Sequence, residues 1–559
     1  MTRNGSKWMV TCAAGVALLG AMATPASAQQ MSEARIQELI AQAQQQVGTT
    51  QQPTQVPPSS TNTAQATVRV TLDEAVKAAL EHNLDIAVQR LNPEINDITY
   101  AGLEGIYRPA LTSNISTQGT TTPSNSQTSG GAAGTGITRD VITANGGVTQ
   151  SIPWGGGSYI AQLNHDRQTT TSNNSLFNPQ FDTNWSAAYT QPLLRNFRTD
   201  SNRQTLAVTK INRDITDVQL RATITNTLSN VRNAYWDYVF AVQSVDVAQQ
   251  SLDLANQLVK DNQTRVEVGT MAPIDVVSAQ SQAATAKQNL VVAQAAAHTS
   301  EIALKRLIVA GTQDPLWTAT LDPSDRPDFR PEAIDLDAAV RRALSERTDI
   351  DIAKKTVQQN DITLKFLNDQ LKPQADLVGT YGVTGIGGNQ LSRSGTLGGD
   401  IGTTIPGGLS DAFSTLFRQN YPRWTLQLNL QYPIGLSSQK ASVAKARVQL
   451  NQIQAQLKQV ELQVATDVTN AVVTARSNAE RVQAAQAARE FAQKTLEAEQ
   501  SKFEVGMSTN YNVIQVQRDL ATAQNNELQA ILNYRKSLVE LDRLQQTTLG
   551  SLGITVLGR

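Results

Sequence analysis

The sequence predicts a mixed α and β chain, internally duplicated, in which very long helices alternate with strands of membrane type. Three observations predict it. First, residues 72–109 and 336–373 align without a gap at a constant offset of 264 positions: Leu72, Asp73, Ala75 and Val76 recur as Leu336, Asp337, Ala339 and Val340. Asn96-Asp97-Ile98-Thr99 recurs intact as Asn360-Asp361-Ile362-Thr363, and Pro109 recurs as Pro373. A second match lies downstream, Val266-Glu267-Val268-Gly269 with Phe503-Glu504-Val505-Gly506. Second, residues 194–268 and 436–505 each lack proline, and each lacks glycine until its final Val-Gly tip. Helices of about 70 residues would run about 100 Å at ~1.5 Å per residue. Third, Trp424, Leu426, Leu428, Leu430 and Tyr432 alternate strictly with Thr425, Gln427, Asn429 and Gln431. That period of two is a strand signal. Uncharged polar partners and an aromatic at each end suit a strand with one face toward lipid, although a half-buried strand of a soluble sheet reads the same way in isolation.

The elements follow in order. Arg3 and Lys7 precede an apolar stretch that ends at Pro25-Ala26-Ser27-Ala28. This reads as a secretory signal over residues 1–28 with cleavage after Ala28; the apolar run is short for a membrane anchor. The only cysteine, Cys12, lies inside it, so no disulfide is expected in the mature chain. Residues 29–66 read as an amphipathic helix followed by a flexible linker rich in Gln, Pro, Thr and Ser. The first repeat, 67–310, starts its helix at Thr71, with Asp73 and Glu74 in the first turn. Strands are expected near Leu111–Thr117 and Trp185–Gln191. Between them, Val148–Ile152 and Tyr159–His165 read as a hairpin around Pro153-Trp154-Gly155-Gly156-Gly157. Pro109 to Pro192 spans 83 positions and Pro373 to Pro433 spans 60, so the first repeat carries 23 more residues here. Either this hairpin projects from the sheet or it adds two strands to it; projection is the favoured expectation. Long helices follow, with apolar steps of three and four at Val245, Ala248, Leu252, Ala255 and Val259. Residues 311–334 carry four prolines and read as an irregular connector. The second repeat, 335–549, repeats the plan from Asp335, with strands near Ala375–Val383 and Trp424–Tyr432 and a seam at Leu450, Ile453, Leu457, Val460 and Val464. A tail, 550–559, closes the chain.

Composition bears on function. Net charge is −1, or −3 without Arg3 and Lys7, which argues against a nucleic-acid partner. The three histidines, His82, His165 and His298, follow no metal-ligand spacing. Gly385-Ile386-Gly387-Gly388 lacks the lysine of a phosphate loop and is expected in a surface loop. No catalytic constellation can be singled out, so the expectation is a non-enzyme without cofactor or metal. No apolar run after the signal is long enough for a spanning helix, so any membrane crossing would use strands in a closed barrel.

The Leu-Asp-x-Ala-Val start, the proline after the first helix, Gln191-Pro192-Leu193-Leu194-Arg195 before the long helix, and the Val-Gly tips together resemble the outer-membrane efflux protein family, the TolC-like channels. The resemblance covers roughly residues 68–549. It implies a homotrimer in which an outer-membrane β-barrel continues into a long periplasmic α-helical coiled-coil barrel. It further implies a periplasmic adaptor and an inner-membrane pump of RND or ABC type as partners, in an efflux or type I secretion system. The turns at Val268, Gly269, Val505 and Gly506 would then be the tips that an adaptor grips; on residue pattern alone they are two tight turns. Where some members carry rings of aspartate, this chain has Asn512 and Gln515; where a tip arginine is usual it has Ser508, while the acidic partner matches at Asp275. The resemblance therefore implies a constriction of weak charge selectivity, closed less by tip salt bridges. Asn512 and Gln515 read equally as solvated helix positions. A diffusion porin would explain the strands but not the helices. A coiled-coil spacer or surface protein would explain the helices but not the strands.

Overall fold

The computed structural model describes residues 67–125, 130–131, 134–326, 329–394, 401–432, 434–435 and 438–554. The expected signal, the 29–66 segment and the end of the tail lie outside them. The described residues form two compact units, each drawing on both repeats: one from 97–210 and 359–449, the other from 67–96, 211–358 and 450–554.

The second of these units is helical. β1 (Thr67–Val70) leads into α1 (Leu72–His82) and α2 (Leu84–Glu104). Thr71 caps α1 through a reciprocal box with Glu74, which satisfies two otherwise orphaned amides. Asn83 breaks the chain between α1 and α2: its Oδ1 accepts from the amides of Asp85 and Ile86, while its Nδ2 donates to Leu307 O at 2.9 Å. α3 (Ser201–Glu267) and α4 (Pro273–Ile308) form the first long hairpin. The expected irregular connector contains a short helix, α5 (Pro315–Thr318), and β6 (Thr320–Pro323), which pairs in parallel with β1. The second repeat follows with α6 (Leu336–Glu346), capped by Asp335 as expected, then α7 (Thr348–Asp369). α6 has the same length as α1 at the offset of 264. Two buried clusters hold each copy in the same manner. Ala75 and Ala79 of α1 pack on Val231, Tyr235 and Leu304; Ala339 and Ala343 of α6 pack on Val464, Val468 and Val472.

α9 (Ser438–Glu504) and α10 (Asn510–Leu544) form the second long hairpin, and α11 (Thr548–Ser551) ends the described helices. α3 and α9 each have 67 residues. The expected seam is present: Val464 and Ala255 are buried, and Leu450, Ile453, Leu457 and Val460 are half-buried. α3 starts later than its glycine-free run suggested. Asn196 adopts φ 66°, and Asp200 accepts from the Arg203 amide at 2.8 Å, capping the helix there.

The other unit is built on one antiparallel sheet. Its strands are β2 (Ala110–Pro123), β3 (Gly136–Ser151), β4 (Ser158–Thr170), β5 (Phe177–Pro192), β7 (Gln374–Arg393), β8 (Ile401–Ile405) and β9 (Tyr421–Gln431). Their order is β2-β3-β4-β5-β7, with β9 and β8 on the remaining side of β7. The favoured projection of the β3–β4 hairpin is therefore wrong. β3 pairs with β2 along fourteen positions and β4 pairs with β5, so the hairpin is integral to the sheet. The reason is pairing: two extended segments between two others leave no edge inside the sheet unsatisfied. The strands also run well beyond the expected segments. Thr120, Thr121 and Thr122 extend β2, because β-branched threonine suits extended backbone. Gly385-Ile386-Gly387-Gly388 lies inside β7, not in a surface loop. It supports α8 (Leu409–Phe417), which packs on β7 and β5.

Candidate functional site

Two regions carry the predicted site residues. The first is the pair of hairpin turns. Gly269 and Gly506 take φ of 76° and 78°, which only glycine adopts without strain. At each turn the residue after glycine donates back into the helix, Thr270 N to Arg265 O at 2.9 Å and Met507 N to Lys502 O at 2.8 Å. The glycine amides donate to Val266 O and Phe503 O. This is the Schellman arrangement, built twice from the duplicated Val-Gly sequence. Val268 and Val505 are exposed, as are Ile274, Met507 and Tyr511. Exposed apolar side chains thus stand at or beside both turns.

Beneath the turns the two hairpins are fastened to each other. Leu258, Ala279, Phe503, Val513 and Ile514, one or two from each long helix, form a single buried cluster. Polar bonds surround it. Asn262, fully buried, donates from Nδ2 to Asn510 Oδ1 at 2.9 Å, and Asn510 Nδ2 donates to Asp275 O at 3.1 Å. Arg265 donates to Phe503 O at 3.1 Å and lays its guanidinium over the Phe503 ring at 4.4 Å. Arg518 donates to Gln282 Oε1 at 2.8 Å.

Asp275 thus contributes its carbonyl to this fastening, and no salt bridge involves its carboxylate among the described residues. Ser508 faces a different acid: its hydroxyl donates to Glu499, which also meets Lys502 at 3.1 Å. The Ser508 hydroxyl first, then Lys502, holds the Glu499 carboxyl below the usual range. Asn512 and Gln515 are exposed on α10. Asn512 Nδ2 lies 3.5 Å from Ser508 Oγ, and Gln515 donates to Asp519 at 3.0 Å. Glu499 and Asp519 therefore place carboxylates beside the two amides. Sequence reasoning missed them, and also missed Asn262, Asn510, Arg265 and Arg518. The signal available for Asn262 was an amide at a position of the apolar seam; for Asp519 it was a carboxylate one turn beyond Gln515 on the same helix stripe.

The second region is the sheet. Side chains alternate between its faces. On one face Trp424, Leu426, Leu428 and Leu430 stand opposite Tyr381, Gly379, Leu377 and Ala375. Tyr189 and Trp185 continue that face on β5, and Trp185 meets Tyr381 edge-on at 6.1 Å. Trp424, Leu426, Leu428 and Leu430, with Tyr432 just past the strand end, are all exposed. The opposite face is polar. Asn114, Asn145, Asn164 and Asn184 stand in one register row across four strands, with Thr384 beside them on β7. Both outer strands are open: all residues of β2 and β9 are exposed, and neither has a second neighbour among the described residues.

No helix among the described residues is long and apolar enough to cross a membrane, and no cluster of potential metal ligands occurs among them. The sequence profile of the family described as "Outer membrane efflux protein" matches residues 161–309 and 336–545, more than half of the chain. A search of curated proteins returns no significant match. Solved structures of similar fold include the Campylobacter jejuni CmeC outer membrane channel, with a TM-score of 0.60 at 14% identity over 85% of each chain. The outer membrane protein VceC of Vibrio cholerae gives a TM-score of 0.60 at 13% identity over 85% of this chain and 95% of that one. The open state of the Neisseria gonorrhoeae MtrE outer membrane channel gives 0.55 at 15% identity, over 85% and 88%. At such identities the likeness is one of fold.

Proposed function

Since the chain belongs to the outer membrane efflux protein family, and so is an outer-membrane efflux channel, we propose that three copies join their sheets edge to edge into one barrel around a polar duct. The observation that carries this reading is the sheet itself. It has an apolar face, a polar face and two open edges, β2 and β9. Unpaired strand edges are not tolerated in hydrocarbon, and six full strands are few for a closed barrel with a duct. Pairing β9 of each copy with β2 of the next would give three times six strands. The face of Trp424, Leu426, Leu428 and Leu430 then meets lipid, and the asparagine row lines the duct.

The long hairpins carry the duct into the periplasm. Their tips, with Val268, Gly269, Val505 and Gly506 at the turns, are the surface for a periplasmic adaptor, and an inner-membrane pump of RND or ABC type supplies the energy. The exposed apolar side chains at both turns support that contact. Asn512 and Gln515 are the constriction residues in this reading, with Asp519 and Glu499 adding negative charge beside them. Asp275 and Ser508 belong to the same tip, and the closed state rests on buried amides more than on ion pairs.

Electron microscopy of the purified protein in detergent tests the assembly. Three-fold averages with a barrel and a long helical extension are expected. Single cysteines in mid-β2 and mid-β9, oxidised together, should give a covalent trimer. A monomer, or an open ladder of higher species, would refute barrel closure.

A further inference from the structure

The nine-residue helix α8 and its glycine seat have no part in the duct or the tips. We infer that α8 is an interfacial helix, held on the apolar face of the sheet at the end that carries the β4–β5 and β7–β8 connections, and that Leu409, Phe413 and Phe417 enter the hydrocarbon of the membrane there. This rests on the reading that the same sheet face meets lipid.

The seat is specific. A Cβ at Gly385 would stand 2.0 Å from Ala412 O, and one at Gly387 would stand 2.5 Å from Ala412 N. Only glycine lets the helix backbone approach so closely. Thr183 and Thr415 complete the attachment, donating to Ala412 O and Ile386 O at 3.2 Å. Thr183, opposite Gly385, lies two residues from Trp185 on β5, so α8 lies on the Trp424–Leu430 face and beyond it. This end holds the β4–β5 and β7–β8 connections, whereas the chain enters and leaves the sheet at the other end.

The helix has three sides. Ala412 and Leu416 are buried against the sheet. Ser410, Asp411, Ser414 and Arg418 form a polar side. Leu409, Phe413 and Phe417, each four residues apart, form the third, and Phe417 is 78% exposed. The rings of Phe413 and Phe417 stack at 6.2 Å, and Phe413 stacks in turn on His165 of β4 at 6.4 Å. An apolar stripe that continues a lipid-facing surface, beside a polar side, is the arrangement of a helix lying in the membrane interface. Its occupant is the acyl chain of the boundary lipid. A nine-residue helix is not stable in water unaided, which is why the glycine seat is needed.

Nitroxide labelling tests this on the full-length protein in phosphatidylcholine vesicles. Phe417→Cys, Ser410→Cys and Leu426→Cys would each be made with Cys12→Ala, which removes the sole native cysteine. Collision of each label with oxygen, which partitions into lipid, is compared with collision with a water-soluble nickel chelate. Labels at positions 417 and 426 should favour oxygen several-fold, and the label at 410 should favour nickel. Oxygen preference at 426 with nickel preference at 417 would overturn the inference alone, as would a label at 417 shielded from both reagents by a second protein surface. Nickel preference at 426 would instead sink the lipid-facing reading of the sheet. Leu409→Cys serves if Phe417→Cys does not assemble. Adding Gly385→Ala should abolish the oxygen preference at 417 and leave that at 426; retention at 417 would refute the glycine seat.

Discussion

Asn510→Ala is the sharpest test of the proposal that buried amides hold the tip closed. The substitution removes two bonds between the hairpins, the 2.9 Å bond from Asn262 and the 3.1 Å bond to Asp275 O. It also strands the Asn262 amide, which is fully buried and has only Asp275 O at 3.5 Å left to meet. A neutral bond contributes about 1 kcal/mol net, and a buried amide left unsatisfied costs about 1–3 kcal/mol. The closed tip should therefore lose about 3 kcal/mol per chain. If opening separates the hairpins, that is roughly two powers of ten in the opening equilibrium, at about 1.4 kcal/mol per tenfold. Single-channel recording in planar bilayers measures it as open probability, with heat-modifiable migration checking that the trimer survives. Ser508→Ala is the comparison: it removes a half-buried bond to Glu499 and the 3.5 Å contact from Asn512, both within the second hairpin, so it breaks nothing between the hairpins and should stay near the wild type. An intact Asn510→Ala trimer with open probability within about two-fold of wild type would refute the amide clamp, because the bond deficit predicts far more.

Other outcomes follow from the same geometry. Asn512→Asp with Gln515→Asp should raise cation selectivity beyond what Asp519 and Glu499 supply, and unchanged reversal potentials would remove these residues from the constriction. Glu301→Ala should destabilise the helical unit by about 3–5 kcal/mol, read from the denaturant midpoint, because it leaves Lys305 buried without its 2.8 Å partner. Burial raises the Glu301 carboxyl, but the Lys305 ammonium and the Leu321 amide outweigh it and hold its pKa below the usual value. Its contribution is thus full above the unfolded value and is lost as pH falls through the lowered folded value, so Glu301→Gln should flatten the acid limb of the stability profile. Gly269→Ala and Gly506→Ala should each cost about 1–2 kcal/mol by forcing a side chain into left-handed backbone, and their effects should be non-additive in thermal unfolding because Arg265 of the first turn donates to Phe503 O of the second.

Periodicity and punctuation in the sequence alone determine the long helices, the two tips and the duplicated start of each repeat. A seam of apolar residues, a capping threonine or aspartate, and a lone glycine after an uninterrupted run act within a few residues of themselves, so they are legible locally. The alternation from Trp424 to Leu430 is legible for the same reason. Partnership across distance is what the tertiary structure decided. Whether the β3–β4 hairpin stands apart or joins the sheet depends on which strands lie beside it, 35 or more residues away in the case of Leu111 and Val148. The role of Gly385 and Gly387 depends on a helix that arrives 25 residues later and passes where a Cβ would be. At the tip, the resemblance in the sequence singles out Ser508 and Asp275. Yet Ser508 bonds to Glu499, and the fastening falls to Asn262 and Asn510, 248 residues apart. Buried amides carry no periodic signature, because what makes them matter is the partner that folding brings and the water it excludes.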